Sequence, residues 1–314
     1  MVHRTIFGLR ARIRAAFSAK EFHPDLRSVA VAMPRHMISP ATLPWMRVLF
    51  QLFRLRPSAG VEVVVIDAGV RVRVHRPRTV PAGPTAALLW IHGGGYVLGL
   101  AEQDDILCRR LAQTLGIVVA AVDYRLAPEH PFPAGLEDCY SAMAWLAGRP
   151  DIDPARVAIG GASAGGGLAA ALALLARDRG DIAPVLQLLT YPMLDDRTSA
   201  RTDLDDSGYR VWDRRSNRFG WAAYLGDGDP EVAVPARRRD LAGVAPTWIG
   251  VGTADLFHDE SVVYSERLAE ADVSCRIEVI AGAFHGFDTI APGASVSRSF
   301  FASQCEALRA ALTQ

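Results

Sequence analysis

The 314-residue chain has almost no lysine: Lys20 is the only one, and arginine carries the rest of the basic charge. We read this as compositional bias rather than function. It also lacks net charge, with 34 basic and 34 acidic residues. There is accordingly no electrostatic case for binding nucleic acid or an anionic membrane surface. Cysteine is scarce. Cys108, Cys139, Cys275 and Cys305 are widely spaced and form no Cys-x-x-Cys or Cys/His cluster, so no metal site is expected. Each lies in a predicted helix or strand, which reads as buried free thiols in a reducing compartment and hence a cytoplasmic protein. No apolar run reaches the ~18 residues of a membrane-crossing helix. The N-terminus is basic but has no uninterrupted apolar core, so it reads as a poor signal peptide. No internal repeat or low-complexity linker is present.

What remains is a chain long enough for one large α/β domain or two small ones. Half of its residues are hydrophobic and 22% are charged, as in a globular protein. Met1–Lys20 places Ile6, Leu9, Ile13 and Phe17 at roughly helical spacing among arginines. This reads as an amphipathic helix packed on the protein's own body, with a membrane-surface helix as the alternative. Prolines 34, 40 and 44 follow, and Trp45–Leu55 reads as a further short helix. Together these residues, about 1–55, form a helical N-terminal arm.

Strand signals come next at Val61–Ile66 and Val70–His75, a hairpin-like pair around Asp67-Ala68-Gly69. They continue at Ala86–Ile91, Ile117–Val122, Val157–Gly160, Pro184–Leu189, Thr247–Val251 and Cys275–Ile280. Helical segments alternate with them at Gln103–Leu115, Ala134–Ala147, Leu168–Arg177, Phe257–Glu270 and Ser297–Leu312. Apolar strands without polar alternation, separated by helices, imply a mostly parallel sheet of eight strands covered on both faces. Residues 195–229 break the pattern. They are polar and charged, then aromatic (Tyr209, Trp212, Phe219, Trp221, Tyr224), and too long for a plain loop. They read as an inserted helical cap within a catalytic domain of residues 56–314.

In such sheets the active site lies at the carboxyl ends of the strands. After Val157–Gly160 comes Gly161-x-Ser163-x-Gly165, running into an Ala/Leu-rich helix. A serine on so sharp a strand-to-helix turn needs small neighbours two residues to either side. The turn presents its hydroxyl at a helix N-terminus, where negative charge is favoured. The motif alone also occurs by chance in a chain with 27 glycines. After Ala86–Ile91 comes His92-Gly93-Gly94-Gly95-Tyr96. The N–H groups of Gly94, Gly95 and Ala164 suit an oxyanion hole, with a plain tight turn as the competing reading. Phosphate binding is disfavoured, because the P-loop Lys-Ser/Thr and the G-x-G-x-x-G spacing are missing. His92 sits where a side chain would brace the glycines. After Thr247–Val251 comes Asp255, placed to accept from a histidine Nδ1–H, with Asp259 and Glu260 as competitors better suited to a helix N-terminus. After Cys275–Ile280 comes His285, between Phe284 and Gly286. The order Ser163…Asp255…His285 is that of the α/β-hydrolase triad.

These segments, together with Asp123-Tyr124-Arg125-Leu126-Ala127-Pro128-Glu129 and Gly252-x-x-Asp255-x-x-x-Asp259-Glu260, resemble the hormone-sensitive-lipase-like group of α/β-hydrolases, on its bacterial carboxylesterase side. The resemblance runs from about residue 60 to the C-terminus. It implies the α/β-hydrolase fold with a split helical cap, Ser163 as nucleophile, Asp255 as acid, His285 as base, and Gly94, Gly95 and Ala164 as oxyanion donors. It implies no cofactor and no metal, a small-molecule ester of short to medium acyl chain as substrate, no stable membrane insertion, and it permits a homodimer. Tyr96, Trp212 and Phe219 are the candidate pocket residues, with packing as their competing role. Two features depart from the group: Ala162 stands where Asp or Thr is frequent, and Leu256-Phe257-His258 replaces a small-residue or proline run. Two other readings stay open. One is a non-catalytic ligand receptor, as in the plant gibberellin receptors of the same group, which lack the histidine that this chain keeps. The other is a hydrolase of amides, lactones or acetyl esters.

Overall fold

The computed structural model describes residues 21–36, 38–55, 60–66, 69–79, 83–204, 206 and 208–313. The amphipathic pattern expected in Met1–Lys20 and the turn residues Asp67 and Ala68 lie outside them.

Eight strands form one sheet: β1 (Val61–Val65), β2 (Arg71–His75), β3 (Thr85–Ile91), β4 (Val118–Asp123), β5 (Ile152–Ala162), β6 (Gln187–Thr190), β7 (Thr247–Ala254) and β8 (Cys275–Phe284). Their spatial order is β1-β2-β4-β3-β5-β6-β7-β8. β1 pairs antiparallel with β2, and β2 with β4, while all pairs from β4 to β8 are parallel. The mostly parallel sheet is therefore as expected. The parallel part has the sequence of a sheet hidden on both faces. β3 and β4 are buried along nearly their whole length, and each face of the sheet carries its own apolar cluster. One cluster includes Ile91, Val122, Leu172 and Ile249; the other includes Leu88, Trp90, Trp248, Phe284 and Phe300.

Helices Asp105–Leu115, Ala134–Ala147, Ala164–Arg179, His258–Glu270 and Ser295–Leu312 supply the covering layers. The sequence pattern located all five. Boundaries moved where local chemistry intervenes: Ala164–Arg179 starts directly after Ser163, because the glycines admit close packing that a hydropathy count does not register. In the N-terminal segment, helix Leu43–Gln51 and the 3-10 turn Leu52–Leu55 stand where Trp45–Leu55 was read as one helix.

The 191–246 connection between β6 and β7 carries the 3-10 turn Asp196–Ala200, helix Arg214–Leu225, and two short turns at Pro230–Ala233 and Pro235–Arg237. It is tied to the N-terminal segment by Val211 N–H to Pro34 C=O (2.9 Å), Arg210 Nε to Ala30 C=O (2.8 Å) and Ser216 Oγ to Ile38 C=O (3.1 Å). Two segments 180 residues apart in sequence thus sit together at the carboxyl ends of the strands. Cys108, Cys139 and Cys305 are buried free thiols; Cys275 is free but only half-buried, because β8 is the edge strand. Among the described residues no helix is long and apolar enough to cross a membrane.

Candidate active site

Ser163 directly follows β5 with φ 58° and ψ −121°, a positive-φ conformation unusual for a residue with a Cβ. Its neighbours make the turn possible. A Cβ on Gly161 would stand 2.4 Å from Gly165 C=O, and one on Gly165 would stand 2.0 Å from Ile91 C=O. Alanine at either position would drive β5, β3 and the following helix apart. The strain is held by backbone bonds on both sides: Ser163 N–H donates to Thr190 C=O (2.9 Å), and Ser163 C=O accepts from Met193 N–H and Gly167 N–H, each at 3.0 Å.

His285 lies one residue beyond β8, and Asp255 one residue beyond β7. His285 Nε2 is 2.9 Å from Ser163 Oγ, and His285 Nδ1 is 2.8 Å from Asp255 Oδ2. All three side chains are buried. The second carboxylate oxygen of Asp255 accepts from Phe257 N–H at 3.0 Å, which fixes the carboxylate plane. The imidazole is held between two rings, with Phe257 edge-on at 5.2 Å and Tyr191 edge-on at 4.9 Å. The sequence brings these groups together because β5, β7 and β8 run parallel and end on one side.

The two competing acids are used elsewhere. Asp259 pairs with Arg201 (2.7 Å) and with His258 Nδ1 (2.9 Å). Glu260 is buried and accepts from Leu194 N–H (2.7 Å), from Asp195 N–H (3.3 Å) and from the Thr198 hydroxyl. Burial pushes the Glu260 carboxyl up to about 8, against the lowering effect of those donors.

The glycine loop lies against the serine turn. Gly94 has φ +129°, and a Cβ there would fall 1.9 Å from Leu98 C=O; Gly95 has φ +61°. Both conformations favour glycine. Ala164 is the first residue of its helix, so its N–H has no partner in the helix. Among the described residues, the N–H groups of Gly94, Gly95 and Ala164 meet no backbone acceptor. His92 braces the loop, with Nδ1 2.8 Å from Gly93 C=O and its ring stacked on Tyr124 at 4.3 Å; burial pushes its pKa down. Arg125 and Asp138 form a bidentate pair, and Asp123 accepts from Ala101 N–H and Arg71.

A cavity of ≈ 200 Å³ opens onto Ser163, His285 and Gly93–Gly95. Of the expected pocket residues, Trp212 lines it: a Cβ on Gly95 would stand 2.0 Å from Trp212 Cη2, so the indole lies directly against the loop. Tyr96 and Phe219 are not among the described residues lining it, which corrects the expectation for both. Tyr96 turns inward, donates to Met193 C=O at 3.1 Å, and stacks on Tyr224 at 4.1 Å and near Trp221 at 5.1 Å. The aromatic run of the β6–β7 connection thus mostly anchors that connection to the loop. Phe219 packs half-buried against the same core. Other parts of the wall were missed by sequence reasoning, among them Ile38, Met46 and Phe50 from the N-terminal segment, Asp104 and Tyr191. Tyr191 directly follows β6 and was open to the strand-end rule. The three apolar residues carry no local signal. Among the described residues no group of three or more His, Cys, Asp or Glu side chains is placed to hold a metal.

Comparison with known proteins places these features in context. A family model described as "alpha/beta hydrolase fold" matches residues 88–289. The carboxylic ester hydrolase LipN of Mycobacterium tuberculosis is 35% identical over 249 residues, covering 74% of this chain and 66% of LipN. The ethyl acetate hydrolase of Pseudomonas putida is 36% identical over 233 residues, covering 69% of this chain and 70% of that protein. The crystal structure of esterase LipW from Mycobacterium marinum superposes with a TM-score of 0.83 at 34% identity, covering 93% of this chain and 96% of LipW.

Proposed function

The chain belongs to the α/β-hydrolase-fold family, on its hormone-sensitive-lipase-like side, and from that premise we propose a serine carboxylesterase of short- to medium-chain acyl esters. The protein is a carboxylic ester hydrolase, and its substrate is a small-molecule ester. The observation that carries the mechanism is the continuous contact Ser163 Oγ–His285 Nε2–Asp255 at 2.9 and 2.8 Å.

The steps follow from that contact. His285 Nε2 takes the Ser163 proton as Oγ attacks the ester carbonyl carbon. The carbonyl π pair moves onto oxygen, and that charge is held by the N–H groups of Gly94, Gly95 and Ala164. Asp255 keeps the imidazole in the tautomer with a proton on Nδ1 and stabilises the imidazolium. The tetrahedral intermediate expels the alcohol, which takes the proton from Nε2. Water then repeats the sequence on the acyl-serine and frees the acid.

The acyl-chain preference rests on the small cavity at Ser163, narrowed by the Trp212 indole. The relative named ethyl acetate hydrolase, whose name gives a short acyl ester, agrees with it. We assign the N-terminal segment and the β6–β7 connection together as the cap over this cavity. Residence in the cytoplasm is supported by the four free cysteines. A homodimer rests on the family resemblance alone.

A p-nitrophenyl ester series from acetate to laurate tests the reading. Turnover is expected to peak below about C8 and to vanish in Ser163→Ala, by ~10⁴-fold or more. Full turnover in Ser163→Ala removes the nucleophile; an optimum beyond about C10 overturns the chain-length preference.

A further inference from the structure

A second cavity, of ≈ 430 Å³, adjoins the one at Ser163 and shares with it the walls formed by Phe50, Gln103, Asp104 and Thr289. Its lining differs in kind. Two carboxyls border it, Asp104 and Asp288. Each has a neutral donor: Trp90 Nε1 donates to Asp104 Oδ2 at 2.8 Å, and the Tyr191 hydroxyl donates to Asp288 Oδ1 at 2.8 Å. Neither forms an ion pair among the described residues. Among the described residues of the wall Arg110 is the sole cation, and its guanidinium lies 3.6 Å over the Phe301 ring. On the same wall Ser297 is 2% exposed, and its hydroxyl has no hydrogen-bond partner among the described residues. A buried hydroxyl without a partner is costly, so Ser297 marks an unmet polar demand on this wall.

Asp288, Thr289 and Pro292 of the second wall belong to the segment that follows His285, and Thr289 lines both cavities. His285 protonates the departing alcohol, so the alcohol side of the ester is the part placed here. Resting on the esterase reading above, we propose that the second cavity is an alcohol subsite for esters whose leaving group bears a cationic nitrogen, with Asp104 and Asp288 as its specificity-determining carboxylates and Ser297 as a polar residue of its wall. Phe50 and Phe53 line the same space and suit the methylenes or methyls around such a nitrogen. Burial pushes the Asp104 carboxyl up to about 7 and also raises Asp288, with mutual repulsion adding to Asp104. Among the described residues neither carboxyl has an ion-pair partner, and a bound cation would supply one.

The experiment compares two esters of one shape, 2-(trimethylammonio)ethyl butyrate and 3,3-dimethylbutyl butyrate, which differ only in nitrogen cation against carbon. The readout is the ratio of their kcat/KM values at about pH 8, within each of wild type, Asp104→Asn, Asp288→Asn and Ser297→Ala. Because the ratio is internal to each enzyme, general losses of activity or folding cancel. The wild type is expected to favour the cation by roughly ten- to hundredfold, the worth of a charge-assisted contact. Either Asp→Asn change is expected to bring the ratio toward one, Ser297→Ala to lower it less, and Asp104→Glu to restore part of it. A wild-type ratio at or below one overturns the subsite, as does a ratio that survives both Asp→Asn changes. That wild-type ratio decides even if every variant fails to fold. Absence of turnover on both esters and on p-nitrophenyl butyrate is a different result: it overturns the esterase reading, and the subsite with it.

Discussion

Glu260→Gln separates two roles that the sequence leaves in competition. Glu260 lies five residues after Asp255, is 7% exposed, and accepts two backbone N–H groups and the Thr198 hydroxyl. Its carboxyl ionises at 4.5 as a free side chain and at about 8 in the fold, chiefly because burial penalises the charge. The sign follows directly. Between those values the folded state keeps a proton that the unfolded state has released. Stability is therefore fully present below 4.5 and is lost as pH rises through about 8. At ~1.4 kcal/mol per pH unit, the interval from 4.5 to about 8 bounds the loss at about 5 kcal/mol. Glutamine stays neutral, accepts from the two backbone N–H groups through its carbonyl, and donates to Thr198 through its amide. Urea unfolding of both proteins from about pH 5 to 9 reads the effect. The variant's advantage is expected near zero at pH 5 and of the order of several kcal/mol at pH 9. Taking the difference cancels the other raised carboxyls, Asp104 and Asp288. A difference that does not change with pH refutes the argument. Ester turnover at neutral pH is expected to stay within about twofold; a ~10⁴-fold loss would transfer the acid's role from Asp255 to Glu260.

Asp255→Asn is expected to lower kcat by about 10⁴ with little change in the urea midpoint, because Asn presents the wrong tautomeric partner to His285 Nδ1 while keeping the packing. Steady-state kinetics alongside unfolding checks it, and a loss below tenfold would remove Asp255 from the triad. Gly95→Ala places a Cβ 2.0 Å from Trp212 Cη2 at φ +61°, so the loop must shift. A kcat loss of about 10²–10³ is expected from the displaced oxyanion donor. Replacing Trp212 by Ala in the same protein should recover part of that loss. Gly95→Ala with unchanged kcat would count against the loop as the oxyanion site.

The legible part of this protein follows one physical regularity. In a parallel sheet with helical crossovers, every strand ends on the same side, so the residue after a strand is also a residue near the site. Ser163, Asp255, His285 and the glycine loop each follow β5, β7, β8 or β3, and each was therefore visible from a local pattern of apolar run, glycine and polar side chain. The preference for Asp255 over Asp259 and Glu260 came from the same rule, since helix N-termini bind acids for their own ends.

The pocket obeys no such rule. Tyr96 follows the glycines in sequence, yet its ring faces inward onto Tyr224, because the left-handed backbone at Gly94 and Gly95 reverses the direction of the next side chain. Phe219 and Trp212 lie in one aromatic run, and only the indole reaches the cavity, since helix Arg214–Leu225 turns its apolar stripe toward the core. Ile38, Met46 and Phe50 come from the far end of the chain and reach the cavity through backbone contacts that leave no mark in local composition. Asp104 and Ser297 drew no reading from local pattern; only the cavity they both line sets them together. Composition, periodicity and strand-end position by themselves determined the fold class and brought Ser163, Asp255 and His285 forward as the candidate constellation, because those depend on local pattern and on one topological rule. Which side chains face the substrate, and with what charge, was decided by tertiary packing, because a cavity wall is assembled from segments whose only relation is contact in space.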